Sequence, residues 1–438
     1  MSLNLTYVHS APNYLRIMPA RLSKESPEKN ALMTSAITEG LQWVRDKCRE
    51  IMHDRTLKNG LLFNAYTESR HGAYFKTQRN FDFDQIYADS GGLQVVTTGK
   101  KLTSALKEEV YKVQKTADFG FCFDEIPLGI KEGVDQETGK HRSQTESKLF
   151  DPSGFKACAE HTAKNVLNQT RAFEGSATKA FYILQGNTQE EMYQWFETGV
   201  DIIGEHGFDR IQGVAPADTC MGNGPLESAD MMAAYHRIIN DFGPHYAKQH
   251  LHLLGVGSPS RLLPAIFLKR SGFLPADMEL SFDSSSSSMS YAMGNFIDSD
   301  GSRPNKNHVR VMRMFSTFYD DLGGILERYS PGLTKEWFMA HTEAHYMSIS
   351  NTVKECPAEF EVAIRASITL MCIWQNVGFY ARLKKDMECD ETRQSGIGFL
   401  AEVKDMNDYN HWIRTFSHGI KSCRIDRKKE FTLDSLFE

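Results

Sequence analysis

Seven short apolar runs, most separated by helix-patterned stretches, restrict this chain to a few folds. They are 61–66 (LLFNAY), 85–90 (QIYADS), 119–125 (FGFCFDE), 180–186 (AFYILQG), 210–215 (RIQGVA), 252–257 (HLLGVG) and 278–283 (MELSFD). Each is rich in Ile, Leu, Val or Phe, as strands buried on both faces should be. Residues 30–53, 103–115, 188–203, 227–240 and 259–270 repeat apolar groups at spacings of three and four, the helical period. Strand and helix in alternation call for a parallel sheet. With an eighth strand expected near the N-terminus, the pattern predicts a (β/α)₈ barrel of the TIM type. An open doubly wound sheet is the competing arrangement, but it would need GxGxxG after an early strand, and none is present.

After residue 300 the character changes. Residues 307–329, 334–350 and 357–388 read as helices, with no clear strand among them. The expected layout is a barrel body over 1–300 and a helical C-terminal part over 301–438, packed on the barrel. The polar segment 130–155 reads as a long loop leading into the next helix.

Composition narrows the function classes. The chain has 438 residues, 41% hydrophobic and 24% charged, an ordinary globular balance, with a formal net charge of −6. A dedicated nucleic-acid binder is usually basic, so any such contact must come from a local patch. The eight cysteines (48, 122, 158, 220, 356, 372, 389 and 423) form no CxxC pair and read as reduced thiols. No basic leader followed by an apolar stretch opens the sequence, and no apolar run approaches the ~20 residues of a membrane helix. A soluble, cytoplasmic protein without membrane contact is expected.

Asp89, Asp124 and Asp283 each close one of the apolar runs. In a (β/α)₈ barrel the strand ends converge on one face, which carries the chemistry. Each also has an ordinary explanation. Asp89 could cap the Gly91-Gly92 turn, Asp124 could start a helix with Glu125 and Pro127, and Asp283 could open a serine linker over Ser284–Ser288. A carboxylate at Asp124 could instead accept two hydrogen bonds from an amidine-like edge such as that of guanine.

Taken together and in order, the motifs resemble the tRNA-guanine transglycosylase superfamily. They are Asp89-Ser90-Gly91-Gly92-Leu93-Gln94, Phe123-Asp124-Glu125-Ile126-Pro127, Leu184-Gln185-Gly186, Gln212-Gly213-Val214-Ala215, Leu254-Gly255-Val256-Gly257 and Phe282-Asp283-Ser284. The likeness spans roughly 80–290, and the family's fold is also a (β/α)₈ barrel. It implies that Asp283 is the nucleophile and Asp89 the general acid/base. It also implies that Ser90, Asp124, Gln185 and the backbone at Gly213 and Val214 read the base edge. Leu93 and Leu254 would form an apolar clamp where the family usually stacks an aromatic residue.

The chain departs from the family in two further places. The family's CxCxxC zinc ligands are missing, so no cofactor is expected and zinc is doubtful, although His341 and His345 form an HxxxH pair. A serine run replaces the arginine-bearing stretch with which tRNA enzymes read the anticodon loop. The resemblance therefore points to the DNA-modifying branch, carried by phages and bacteria, which exchanges guanine for a 7-deazaguanine such as preQ0. The expected partners are DNA, a free 7-deazaguanine base and conceivably a partner protein. A tRNA substrate, or a non-catalytic nucleic-acid-binding relative, is the alternative. Arg303, Lys306, Arg310 and Arg313 form a basic stretch after the nucleophile, suited to phosphates, and Lys421, Arg424, Arg427, Lys428 and Lys429 form a second one.

Overall fold

Eight strands pair in parallel, each with the next in sequence, and the last returns to the first to close a barrel. They are β1 (Leu5–Ser10), β2 (Lys58–Asn64), β3 (Gln85–Asp89), β4 (Phe119–Phe121), β5 (Lys179–Leu184), β6 (Ile211–Pro216), β7 (His250–Leu253) and β8 (Glu279–Ser284). This computed structural model describes residues 3–10, 26–69, 81–92, 102–127, 152–217, 225–247, 249–270, 272–284, 296–304 and 307–393. The barrel is the (β/α)₈ fold that the strand–helix alternation predicts, and β1 supplies the expected eighth strand.

Between the strands run α1 (Pro27–Met52), α2 (Ala65–Glu68), α3 (Ser104–Gln114), α4 (Pro152–Ala172), α5 (Gln189–Phe208), α6 (Pro225–Phe242), α7 (Pro244–Ala247) and α8 (Pro259–Arg270). Their starts follow local rules. Ser26 caps α1 by accepting from the Lys29 amide, with Pro27 in the first turn where no amide partner is needed. Thr188 caps α5 through the Glu191 amide, and the Glu191 carboxylate reaches back to the Asn187 amide at 2.7 Å.

After β8 come α9 (His308–Tyr329), α10 (Lys335–His345), α11 (Ile349–Lys354) and α12 (Glu361–Arg393). The single helix expected over 334–350 is broken, because the Ser348 side chain caps a new start at the Asn351 amide. Helix α12 packs along α1 and against α8, which puts it in the eighth place of the outer ring. It is long and apolar enough to cross a membrane by composition alone, yet its apolar window is wholly buried in the protein. Phe379 of α12 meets Tyr7 and Phe282 on the outer side of β1 and β8, at ring-centre distances of 5.3 and 5.1 Å.

The lumen is not uniformly apolar. Gln85 and Tyr87 of β3 bond to Glu279 of β8 and His250 of β7, and those strands are not ladder neighbours, so the contacts cross the interior. Residues 85, 87 and 89 on β3, 250 and 252 on β7, and 279, 281 and 283 on β8 alternate inward. The expectation of strands apolar on both faces therefore does not hold for β7 and β8. Their inward polar groups are tolerated because they bond to one another. Opposite them, Phe119, Phe121 and Phe181 pack edge or tilted against His250 and His252, at centre distances from 4.7 to 6.3 Å.

Candidate active site at the barrel mouth

The C-terminal strand ends bring Asp89, Asp124 and Asp283 to one mouth, and their charges act on one another. Asp89 closes β3 in a partly buried position. Burial first, then the nearby Asp124 and Asp283 carboxylates, push its carboxyl up to about 7, against hydrogen bonds from the Gly91 and Ser90 backbone. It also accepts from Asn64 Nδ2 at 3.0 Å. The turn-capping role and the perturbed acid thus coexist in one residue. Gly91 has φ +78°, and a Cβ there would come within 2.5 Å of Tyr66 Cβ. Only glycine fits, and it holds the turn that presents Asp89.

Asp124 follows β4 on an extended segment, and no helix starts at Glu125. Instead Thr162 and Asn165 of α4 pin this segment, Thr162 Oγ1 accepting from the Glu125 amide and Asn165 Nδ2 donating to the Phe123 carbonyl, both at 2.9 Å. Gln185, buried after β5, donates from Nε2 to Asp124 Oδ2 at 2.6 Å. Burial pushes the Asp124 carboxyl up to about 6, although the Gln185 bond opposes the rise. Asp124 and Gln185 therefore form one polar edge, with buried Ser90 beside it. The Ser90 hydroxyl accepts from the Gly92 amide at 3.3 Å.

Asp283 lies within β8 and is 7% exposed, so it is no linker residue. Among the described residues its two hydrogen bonds both end on Oδ1, from the Gly255 amide at 2.7 Å and from His252 Nε2 at 3.2 Å. Oδ2 accepts none. A carboxylate anchored through one oxygen and open at the other is suited to covalent attack.

Other expected residues fall less neatly. Leu254 stands at the mouth, its amide bonded to the Pro216 carbonyl at 3.1 Å. Its clamp partner Leu93 lies outside the described residues. Gly213 and Val214 sit lower, in ladder register with Phe181 and Tyr182 on one side and His250 and Leu251 on the other. A Cβ on Gly213 would lie 2.2 Å from the Phe181 ring, so packing inside the barrel already demands glycine there. In an inner strand of a closed barrel the main-chain groups serve the ladder, which leaves the side chains of Asp124 and Gln185 as the polar edge at the mouth.

Arg303, Arg310 and Arg313 are exposed on and before α9, whereas Lys306 and the basic cluster at 421–429 lie outside the described residues. His341 bonds through Nε2 to the Thr352 carbonyl at 2.8 Å and stacks on Trp337. Among the described residues no group of three His, Cys, Asp or Glu converges as metal ligands, and the donors present do not fit the family's thiolate zinc site.

The sequence reading missed Asn64, His252, Ser281 and His250. The signal was present as histidines at alternate positions in HLHLL and the Glu-Ser-Asp alternation of ELSFD. Compared with known proteins, the chain matches no family model and no curated protein sequence.

Proposed function

We propose that the protein is a base-exchange transglycosylase, replacing guanine in DNA with a free 7-deazaguanine base through a covalent bond to Asp283. The observation that carries this reading is the pairing at the mouth of an Asp283 carboxylate, held through Oδ1 alone among the described residues, with an Asp89 carboxyl raised to about 7. Two carboxyl groups with different surroundings can divide the roles of nucleophile and proton carrier.

In the first half-reaction Asp283 Oδ2 bonds to C1′ of the nucleotide, and the C1′–N9 electrons leave with guanine. Protonated Asp89 supplies the proton that neutralises the departing base. In the second, Asp89 takes the N9 proton of the incoming base, whose nitrogen bonds to C1′ while the C1′–Oδ2 electrons return to Asp283. Two displacements retain the anomeric configuration. Asp124 and Gln185 suit the Watson–Crick edge of a guanine-like base. A duplex nucleotide would have to leave its stack to reach them.

DNA is preferred to tRNA because Ser284–Ser288 stands where anticodon-reading arginines would be. Incubation with labelled guanine or preQ0, together with DNA or tRNA, tests both substrates. Label is expected in DNA, and Asp283→Ala should abolish it. Label in tRNA alone would transfer the reading to tRNA, and label in neither would overturn it.

A further inference from the structure

Below Asp283, a line of polar side chains crosses the barrel interior that the two-carboxylate reaction does not use. Ser281 Oγ lies between two imidazoles, 2.6 Å from His250 Nε2 and 2.7 Å from His252 Nδ1. The other His252 nitrogen, Nε2, is 3.2 Å from Asp283 Oδ1. Ser281, His250 and His252 are all essentially inaccessible to solvent.

With Asp283 ionised as the attacking group and one hydrogen on each ring, hydrogen counting gives the direction of each bond in this line. An ionised carboxylate only accepts, so the hydrogen must sit on His252 Nε2. His252 Nδ1 then carries a lone pair and accepts the single Ser281 hydrogen. The Ser281 oxygen in turn accepts from His250 Nε2–H. Burial first, then the neighbouring His252 ring and the charges of Lys58 and Lys269, hold His250 well below the ordinary histidine value, so that ring carries one hydrogen. Besides Ser281 and Asp283, the described side chains in ring contact with His252 from other strands are Tyr87, Phe121 and Phe181, none of which bonds to its ring nitrogens.

We propose that His252 is a positioning residue for the nucleophile. Held in the Nε2–H tautomer by Ser281 and His250, it binds Asp283 Oδ1 together with the Gly255 amide and turns Oδ2 toward the sugar carbon. This rests on the reading of Asp283 as the attacking group. Two donors on one oxygen fix the carboxylate plane, and a reacting atom displaced by ~1 Å can lose about 10²-fold in rate. The same donors also favour departure of the carboxylate when the second base attacks.

Two measurements on the full chain decide the matter. Nitrogen-15 spectra of histidine-labelled protein should show His252 with hydrogen on Nε2 and a bare Nδ1, and Ser281→Ala should perturb that signal. Single-turnover adduct formation on a guanine-containing oligonucleotide should slow about 10²-fold in His252→Phe, which keeps the ring and removes the donor. His252→Gln, with an amide donor at similar reach, should recover most of the rate, and free-base affinity should be the same in all three proteins. Wild-type adduct formation in His252→Phe would overturn the proposal. Should that variant fail to fold, Ser281→Ala decides, and a wild-type rate in it overturns the proposal equally. Hydrogen on Nδ1 overturns it even if adducts form. Hydrogen on Nε2 with no adduct on any nucleic acid upholds the placement of Asp283 and overturns the base-exchange reading instead.

Discussion

Glu279 and Asp283 are inward-facing carboxylates on the same strand, one at each end of the barrel, and their surroundings differ in kind. Glu279 Oε1 accepts from Thr6 Oγ1 and Gln85 Nε2, both at 2.8 Å, and from Lys58 Nζ at 3.2 Å. Among the described residues Asp283 accepts on Oδ1, from His252 Nε2 and the Gly255 amide. Both acids are hydrogen-bonded through a single oxygen among the described residues, but Glu279 gathers side chains from β1, β2 and β3 and so ties strands together, whereas Asp283 is held by one imidazole and one backbone amide. The architectural and the chemical end of this barrel thus differ in what their acids bind, three side chains of other strands at one end and a histidine with a main-chain amide at the other.

The largest test of this contrast is a pair of truncations. Asp283→Ala should abolish base transfer, by at least about 10³-fold, with little change in thermal midpoint. Glu279→Ala should do the reverse, costing roughly 2–3 kcal/mol by stranding Lys58 and Gln85 while folded molecules still turn over. Lost transfer in a Glu279→Ala protein of unchanged stability would break the contrast.

Asp89→Asn sharpens it at the mouth. Removing the acid should slow transfer by about 10²- to 10⁴-fold. Because the folded carboxyl is raised to about 7, above its ordinary range, the native state keeps a proton that the unfolded chain releases. Stability of the wild type should therefore fall as pH rises from about 4 to about 7, and stay level above that. The asparagine variant escapes the loss and should be more stable at pH 8 by roughly 1–3 kcal/mol in denaturant titrations. The same titration predicts that first-step adduct formation declines on the alkaline side of neutrality. A destabilised asparagine variant at pH 8 would show that Asp89 is held for architecture, like Glu279.

Smaller effects belong to recognition. Gln185→Ala should weaken free-base binding by about 5- to 10-fold, measured by calorimetry, because one neutral hydrogen bond is lost and Asp124 is left without its donor. Replacing Arg310 and Arg313 by Ala should lower nucleic-acid affinity for every sequence and reduce the salt slope by about 1 per lost phosphate contact. An unchanged slope would detach α9 from the binding surface.

The barrel was legible because strands and helices differ in period, and each apolar run from LLFNAY to MELSFD marks a real strand. The edges moved where side chains decide. FGFCFDE reads as one strand, but only Phe119–Phe121 is assigned to β4, with Cys122 still bonding to the Phe181 carbonyl and Asn165 and Thr162 taking over the segment beyond. For β7 the reading began at residue 252, two positions late, because histidine does not look like core. Yet His250 is among the most buried groups in the protein. At the site, the three aspartates announced themselves as strand ends. Ser281 and Asn64 did not, since a serine or an asparagine acquires a role only from partners distant in sequence.

The packing of α12 against α1 ties the order of synthesis to the order of assembly. Residues 27–52 leave the ribosome well before residues 361–393, which pack along them. Until α12 emerges, α1 keeps an uncovered apolar flank, and the nascent chain is exposed to mispairing throughout that interval.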